Sequence, residues 1–291
     1  MTDAFNPVEA LPPLREIINE HGLRAEKALG QNFLLDLNLT RKIARAARSI
    51  KTNPAFEIGP GPGGLTRAIL LEGAPKLVAL EYDARAVAAL DSLVLAADGR
   101  LYVEQADALR LSLPACAVRR GLKPPYNIIA NLPYNIATPL LAGWLQDIHG
   151  DAGIYGELIL MFQKEVAQRI VASPSTKAYG RLSVLTQWLC DAKIVFDVPA
   201  SAFVPPPKVT SSIVRLVPRE RNGEALAAFR VMEEMTAASF GQRRKMIRSS
   251  LKNYAPFLEA CGLDDQARAE DIAVGDYARL ALAVTKARRE G

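Results

Sequence analysis

Histidine and cysteine are scarce in this sequence. His21 and His149 are the only imidazoles, and Cys116, Cys190 and Cys261 are the only thiols. The thiols form no CxxC pair and no disulfide framework, and with so few soft ligands a metal centre is not expected. Long apolar runs are missing too: no stretch approaches the roughly eighteen uninterrupted apolar residues of a membrane-spanning helix. The opening "MTDAFNPVEALPPL" mixes acids and prolines where a secretory signal would place basic and then apolar residues. These absences predict a cytoplasmic protein with no membrane partner.

The 291 residues are 49% hydrophobic and 23% charged, the balance of a folded chain with room for one large domain and a smaller one. A net charge of +5 is a mild bias towards polyanions and settles nothing alone. Its distribution says more. "GQRRKMIRSSLK" at 241–252 carries five cations and no acid. That run is either a solvated helix face or a contact for phosphates.

Short β-rich apolar runs alternate with helical patterns between residues 50 and 170. Strands are predicted at 55–58, 77–81, 101–104, 126–130 and 157–162, and helices at 65–72, 84–95, 138–146 and 164–171. This alternation calls for a parallel sheet with helices on both faces. After a helix at 181–190, two further runs at 193–198 and 212–217 are joined by the proline-rich "PASAFVPPPKVT". A parallel crossover needs about a dozen residues or more, usually a helix, so this pair is expected to be antiparallel. From residue 225 onward only helical periodicity remains, and "VPRERNGE" before it has the polar composition of a boundary. The expected architecture is α/β. A Rossmann-like domain covers 1–219, opened by a helical arm at 13–21 and 36–50, and a small all-α domain covers 220–291.

"FEIGPGPGGLTRAIL" at 56–70 reads as strand, glycine turn and helix. Gly59, Gly61 and Gly64 fit the G-x-G-x-x-G dinucleotide pattern, with Glu81 about twenty residues further on. By itself this is a weak signal, because glycines also let a helix pack closely on a strand. Pro60 and Pro62 bear on the choice of ligand. Proline has no N–H, and a pyrophosphate needs several converging backbone donors. A nucleoside without phosphates, such as S-adenosylmethionine, suits the loop better. Glu81 ends the second strand, where a carboxylate can accept ribose hydroxyls. Asp107 follows the third, as either an acceptor for an adenine amine or a helix cap.

The fourth strand runs into "NLPYN" at 131–135. Asparagine and proline make ordinary turns; the alternative is a platform for a flat base with an exocyclic amine. Adenine N6 is a poor nucleophile because its lone pair is conjugated into the ring. Two acceptors aimed at its hydrogens, the Asn131 side-chain oxygen and the Leu132 carbonyl, favour the pyramidal geometry that frees the pair. Pro133 fixes that carbonyl, and Tyr134 stacks on the base. No general base is needed before attack, since the proton becomes acidic once nitrogen carries the new methyl. Orientation then does most of the work, with an upper range of roughly 7 to 11 kcal/mol.

With these residues together, the sequence resembles the ribosomal-RNA adenine N6-dimethyltransferases, and among them the bacterial small-subunit enzymes. The resemblance runs in order through "LGQNFLLD" (29–36), "EIGPGPGGLT" (57–66), Glu81, "ADAL" (106–109), "NLPYNI" (131–136), "FVPPPKVTSSIVRL" (203–216) and "FGQRRKMIRSSL" (240–251). It implies S-adenosylmethionine contacts at Asn32, Leu34, Gly59, Glu81, Asp107 and Asn131, with Gly61 and Ala108 beside them. It implies dimethylation of two adjacent adenines in the 3′-terminal hairpin loop of small-subunit rRNA, by a monomer acting on a pre-30S particle. The target base must be flipped to bring N6 within reach. Arg243, Arg244, Lys245 and Arg248 become candidates for RNA phosphates. Phe203 is either a second stacking face opposite Tyr134 or a core aromatic. The stretch "ACAVRRGLKPP" (115–125) departs from a tight connection and is given no function.

Three other readings compete. A related enzyme methylates a large-subunit adenine, but "FVPPPKV" and the full-length C-terminal region favour the small-subunit type. A nicotinamide-dependent oxidoreductase fits the glycine spacing, yet it conflicts with Pro60 and Pro62 and leaves 131–134 unexplained. A non-catalytic RNA-binding or assembly factor does not need the intact tetrapeptide.

Overall fold

Strands with apolar side chains on both faces need cover on both sides, and the chain supplies it by alternating strand with helix. A computed structural model describes residues 6–23, 32–220 and 228–290. In chain order the elements are α1 (Leu14–Glu20), β1 (Phe33–Leu34), α2 (Leu37–Ala44), β2 (Ala55–Ile58), α3 (Gly64–Leu71), β3 (Leu77–Glu81), α4 (Ala84–Ala89) and α5 (Asp91–Ala96). There follow β4 (Leu101–Gln105), α6 (Leu113–Arg119), β5 (Tyr126–Asn131), α7 (Tyr134–Gly150), β6 (Tyr155–Gln163), α8 (Lys164–Ile170), α9 (Arg181–Leu189) and β7 (Cys190–Val198). The last elements are β8 (Phe203–Val204), β9 (Ser211–Pro218), α10 (Phe229–Gly241), α11 (Ile247–Ser250), α12 (Ala255–Ala260) and α13 (Val274–Glu290).

Seven strands form one sheet in the order β4-β3-β2-β5-β6-β9-β7. The first five pair in parallel, and β9 runs antiparallel to β6. Strand order reverses between β2 and β5, which opens a crevice at their carboxyl ends. The predicted α/β sheet is therefore the observed one, and β7 and β9 are neighbours in it. β2 and β3 are buried along their whole length. Ile69, Leu77, Ile129, Ile159 and Ile213 belong to the main hydrophobic core. A separate two-stranded ribbon pairs Phe33 with Val204 and Leu34 with Phe203 in antiparallel register.

The structure corrects several boundaries. Residues 113–119 form a helix, entered through Pro114 and capped by Ser112, whose hydroxyl oxygen accepts the Ala115 N–H at 3.3 Å. The helix expected at 84–95 is two helices that meet at Leu90. α7 begins four residues earlier than expected, with Pro139 inside it, because Thr138-Pro139 imitates a helix start. The arm helix expected at 36–50 stops at Ala44; Asp36 caps it by accepting the N–H groups of Asn38 and Leu39.

Contacts divide the chain into two units. The first comprises Met1–Trp144, Gly153–Lys164 and Lys193–Val217; the second comprises Leu145–Ala152, Glu165–Ala192 and Pro218–Gly291. The last crossing, at 217/218, lies two residues before the cut expected at 219/220. The second unit also takes α9, which packs against α10 and α13, so a boundary read from composition alone undercounts it. Aromatic side chains fill that unit: Phe240 lies 6.0 Å from both Tyr179 and Tyr277, and Trp188 stacks on Phe229. The tyrosine hydroxyls are satisfied by the carbonyls of Ile272 and Ala269.

Candidate active site

The glycine turn is a closed system. Gly59 and Gly61 take φ values of +68° and +53°, which only glycine adopts without strain. The N–H of Gly59 reaches the Leu80 carbonyl at 2.9 Å, that of Gly61 reaches the Glu81 carboxylate at 3.0 Å, and that of Gly63 reaches the Pro60 carbonyl at 3.0 Å. Pro60 and Pro62 have no N–H, so residues 59–63 keep no donor for a phosphate. At Gly64 a β-carbon would sit 2.5 Å from the Leu34 carbonyl oxygen. A bare Cα is what lets β1 close over the start of α3.

Beside the turn lies a cavity of about 300 Å³ at the carboxyl ends of β2, β3, β4 and β5. Asn32, Leu34, Gly59, Gly61, Glu81, Asp107, Ala108, Asn131, Leu132, Pro133 and Tyr134 all line it. These are residues from five separated stretches of the sequence. The ionisable walls are Glu57, Glu81 and Asp107, with the phenols Tyr82 and Tyr134, and among the described residues no lysine, arginine or histidine contributes. Such a site repels a pyrophosphate and attracts a cation.

Glu81 is buried and held by three backbone donors: Tyr82 at 2.7 Å and Asp83 at 2.9 Å on one oxygen, Gly61 on the other. A carboxylate has about four acceptor positions, so one stays open for a ribose hydroxyl. Asp107 accepts the Leu109 N–H at 2.9 Å and faces Arg110 at 3.5 Å. It caps a turn rather than a helix and still lines the cavity. Glu57 was given no role in the sequence reading. It is 1% exposed, and its Oε2 has no hydrogen-bond partner among the described residues. Burial pushes its carboxyl up to about 8; the Thr66 hydroxyl opposes the rise and the Glu81 carboxylate adds to it. An acid in the middle of an apolar strand was the available signal. Tyr82, 65% exposed at the cavity rim, was missed too, since it looks like any residue after a strand.

At the end of β5 the Asn131 amide nitrogen donates to the Asn32 carbonyl at 3.2 Å. That bond fixes which end of the amide is which, and the side-chain oxygen has no hydrogen-bond partner among the described residues. The N–H groups of Ile136 and Ala137 both go to the Pro133 carbonyl. The Leu132 carbonyl therefore stays outside the helix ladder of α7. Two acceptors and an aromatic side chain meet at one edge of an acid-lined cavity.

The family model described as ribosomal RNA adenine dimethylase matches residues 22–286. The chain belongs to that family. It is 50% identical over 292 residues to the ribosomal RNA small subunit methyltransferase A of Azorhizobium caulinodans, covering 99% of this chain and 98% of that protein. The crystal structure of a dimethyladenosine transferase from Plasmodium falciparum is similar at a TM-score of 0.70 and 26% identity, covering 86% of this chain and 96% of that one. The 23S rRNA methyltransferase ErmE is similar at 0.65 and 25%, covering 86% and 98%. This dimethylase is a methyltransferase that uses S-adenosylmethionine. The residues present fit that cofactor: a donor-free glycine turn, the Glu81 and Asp107 carboxylates for a ligand with an ammonium, a sulfonium and ribose hydroxyls, and an orphaned oxygen on Glu57.

Two expectations for RNA-facing residues need correction. Phe203 is 2% exposed, belongs to the main hydrophobic core and does not line the cavity. Its pairing with Leu34 turns the ring inward. The Arg243 guanidinium is committed to Glu270 at 2.6 Å and to the carbonyls of Lys177 and Tyr179 at 2.8 and 2.9 Å. It ties parts of the second unit together. Arg244, Lys245 and Arg248 in the same unit are exposed and make no side-chain hydrogen bond or ion pair among the described residues.

Proposed function

We propose that the dimethylase converts two adjacent adenines in the 3′-terminal hairpin loop of small-subunit rRNA to N6,N6-dimethyladenosine, within an immature 30S particle. The observation that carries this reading is the oriented Asn131 amide beside the Leu132 carbonyl, on the edge of a cavity lined by acids. When bound, S-adenosylmethionine supplies an electrophilic methyl on a cationic sulfur. Everything else falls to the chain. Glu81 accepts a ribose hydroxyl, Asp107 and Ala108 border the adenine end, and Asn32 and Leu34 close the strap over the turn. Asn131 Oδ1 and the Leu132 carbonyl accept the two N6 hydrogens of a flipped adenine and hold the nitrogen pyramidal. Tyr134 stacks on that base. The walls exclude water, and the proton leaves after nitrogen has gained its carbon.

Arg244, Lys245 and Arg248 supply cations for RNA phosphates. Action as a monomer in the cytoplasm belongs to the same proposal. Among the described residues no helix is long and apolar enough to cross a membrane. The test is transfer of labelled methyl onto purified undermodified small subunits, with large subunits in parallel, followed by nucleoside analysis. Labelled dimethyladenosine in small subunits alone is expected. Label in large-subunit RNA would favour the activity named for the ErmE structure and overturn the substrate assignment.

A further inference from the structure

The side chain of Tyr134 is held at both ends. Its backbone opens α7, where the N–H groups of Ile136 and Ala137 converge on the Pro133 carbonyl, both at 3.1 Å. At the far end its hydroxyl lies 2.6 Å from the hydroxyl of Ser211. Ser211 is fully buried and opens β9, standing opposite Gln163 at the end of β6. The segment around it is pinned. Ser212 donates to Asp197 at 2.6 Å, and the same carboxylate receives Lys164 at 2.6 Å. The Lys164 N–H reaches the Thr210 carbonyl at 2.9 Å. Ser211 is thus a fixed point on the sheet, about 80 residues away in sequence from the ring it touches.

We propose that Ser211 is a positioning residue for methyl transfer, its hydroxyl tethering the Tyr134 phenol so that the ring cannot swing away from the edge bearing Asn131. This rests on the reading of Tyr134 as the side chain that stacks on the target adenine. It gives the phenol oxygen a mechanical task and no part in proton transfer. Burial raises the Tyr134 hydroxyl above its ordinary value, the contact with Ser211 opposing the rise, so the phenol keeps its proton near neutral pH. Phenylalanine would present the same aromatic face; what tyrosine adds here is the tether. A ring free to rotate leaves N6 out of line with the Asn131 oxygen for part of the time, and transfer depends steeply on such alignment.

The experiment is a double-mutant cycle on the full-length protein with undermodified small subunits. Turnover, KM for the particle and the pH profile are measured, with the S-adenosylmethionine dissociation constant from calorimetry. Ser211→Ala and Tyr134→Phe should each lower kcat by roughly 3- to 10-fold, the worth of one neutral hydrogen bond. The dissociation constant should stay within about twofold, the pH profile should keep its shape, and the double variant should lose no more than either single one. Losses that multiply in the double variant overturn the tether. If Ser211→Ala fails to fold, an unchanged kcat for Tyr134→Phe, or a shifted pH profile, does the same. Tyr134→Ala tests the stacking reading separately: retained transfer ends that reading, whereas multiplying losses in the cycle end only the tether.

Discussion

Exchanging Glu57 for glutamine isolates the cost of keeping an acid inside the sheet. The side chain is buried, one of its oxygens has no partner, and burial pushes it up to about 8. Between the ordinary carboxyl value of 4.5 and about 8, the folded protein holds a proton that the unfolded chain has released. Stability from this residue is therefore complete below the unfolded value and is lost as the pH rises through the folded one. At about 1.36 kcal/mol per pH unit, the span amounts to roughly 3 to 5 kcal/mol once local relaxation is allowed for. Glu72, Glu104, Glu157 and Asp197 all lie below their ordinary values, so their contributions change in the acid range instead. The assay is urea unfolding of both proteins at several pH values from about 5 to about 8. The wild-type free energy should fall relative to Glu57→Gln by about 1.4 kcal/mol per pH unit over that window. Saturating S-adenosylmethionine should flatten the difference, because a cation in the cavity favours the ionised carboxylate. Parallel curves for the two proteins without ligand would refute the reasoning.

Four further outcomes are expected. Asn131→Ala should lower kcat by about a hundredfold or more while the cofactor dissociation constant, read by calorimetry, moves by less than about tenfold; full activity would remove the acceptor from the mechanism. Arg244→Glu with Lys245→Glu should weaken binding of rRNA and reduce the magnitude of its salt slope by about two. Arg243→Ala should instead cost about 1 to 3 kcal/mol of stability in denaturant unfolding, because it strands Glu270 and two carbonyls. Gly64→Ala should lower both stability and cofactor affinity by forcing Leu34 outward, which a thermal shift with and without cofactor measures.

The central strands were legible because burial on both faces leaves short apolar runs, as in 77–80, 128–130 and 158–162. The acceptor edge was legible because Asn131 to Tyr134 follow such a run without a gap. Helix ends were harder. Thr138-Pro139 is a sound start signal that the structure overrides, and Ser112 with Pro114 is a real one hidden by the arginines that follow. Strands of two residues carry no periodicity, so the ribbon of β1 and β8 left no pattern to read. The exposed and committed arginines at 243–248 look alike in sequence; only the position of Glu270 separates them. Ser211 was invisible for the same reason, since its meaning comes from a tyrosine far away in the chain.

The pairing of Leu34 with Phe203 has a consequence for how the protein is made. One wall of the ligand pocket is supplied near the start of the chain, yet its hydrogen-bonding partner is translated some 170 residues later. On the ribosome the sheet strands through β5 can associate while that wall still lacks its ladder. Grip on the methyl donor should therefore arrive late, after residue 204 has left the exit tunnel, and a nascent chain stalled before that point should hold the cofactor poorly even with its glycine turn complete.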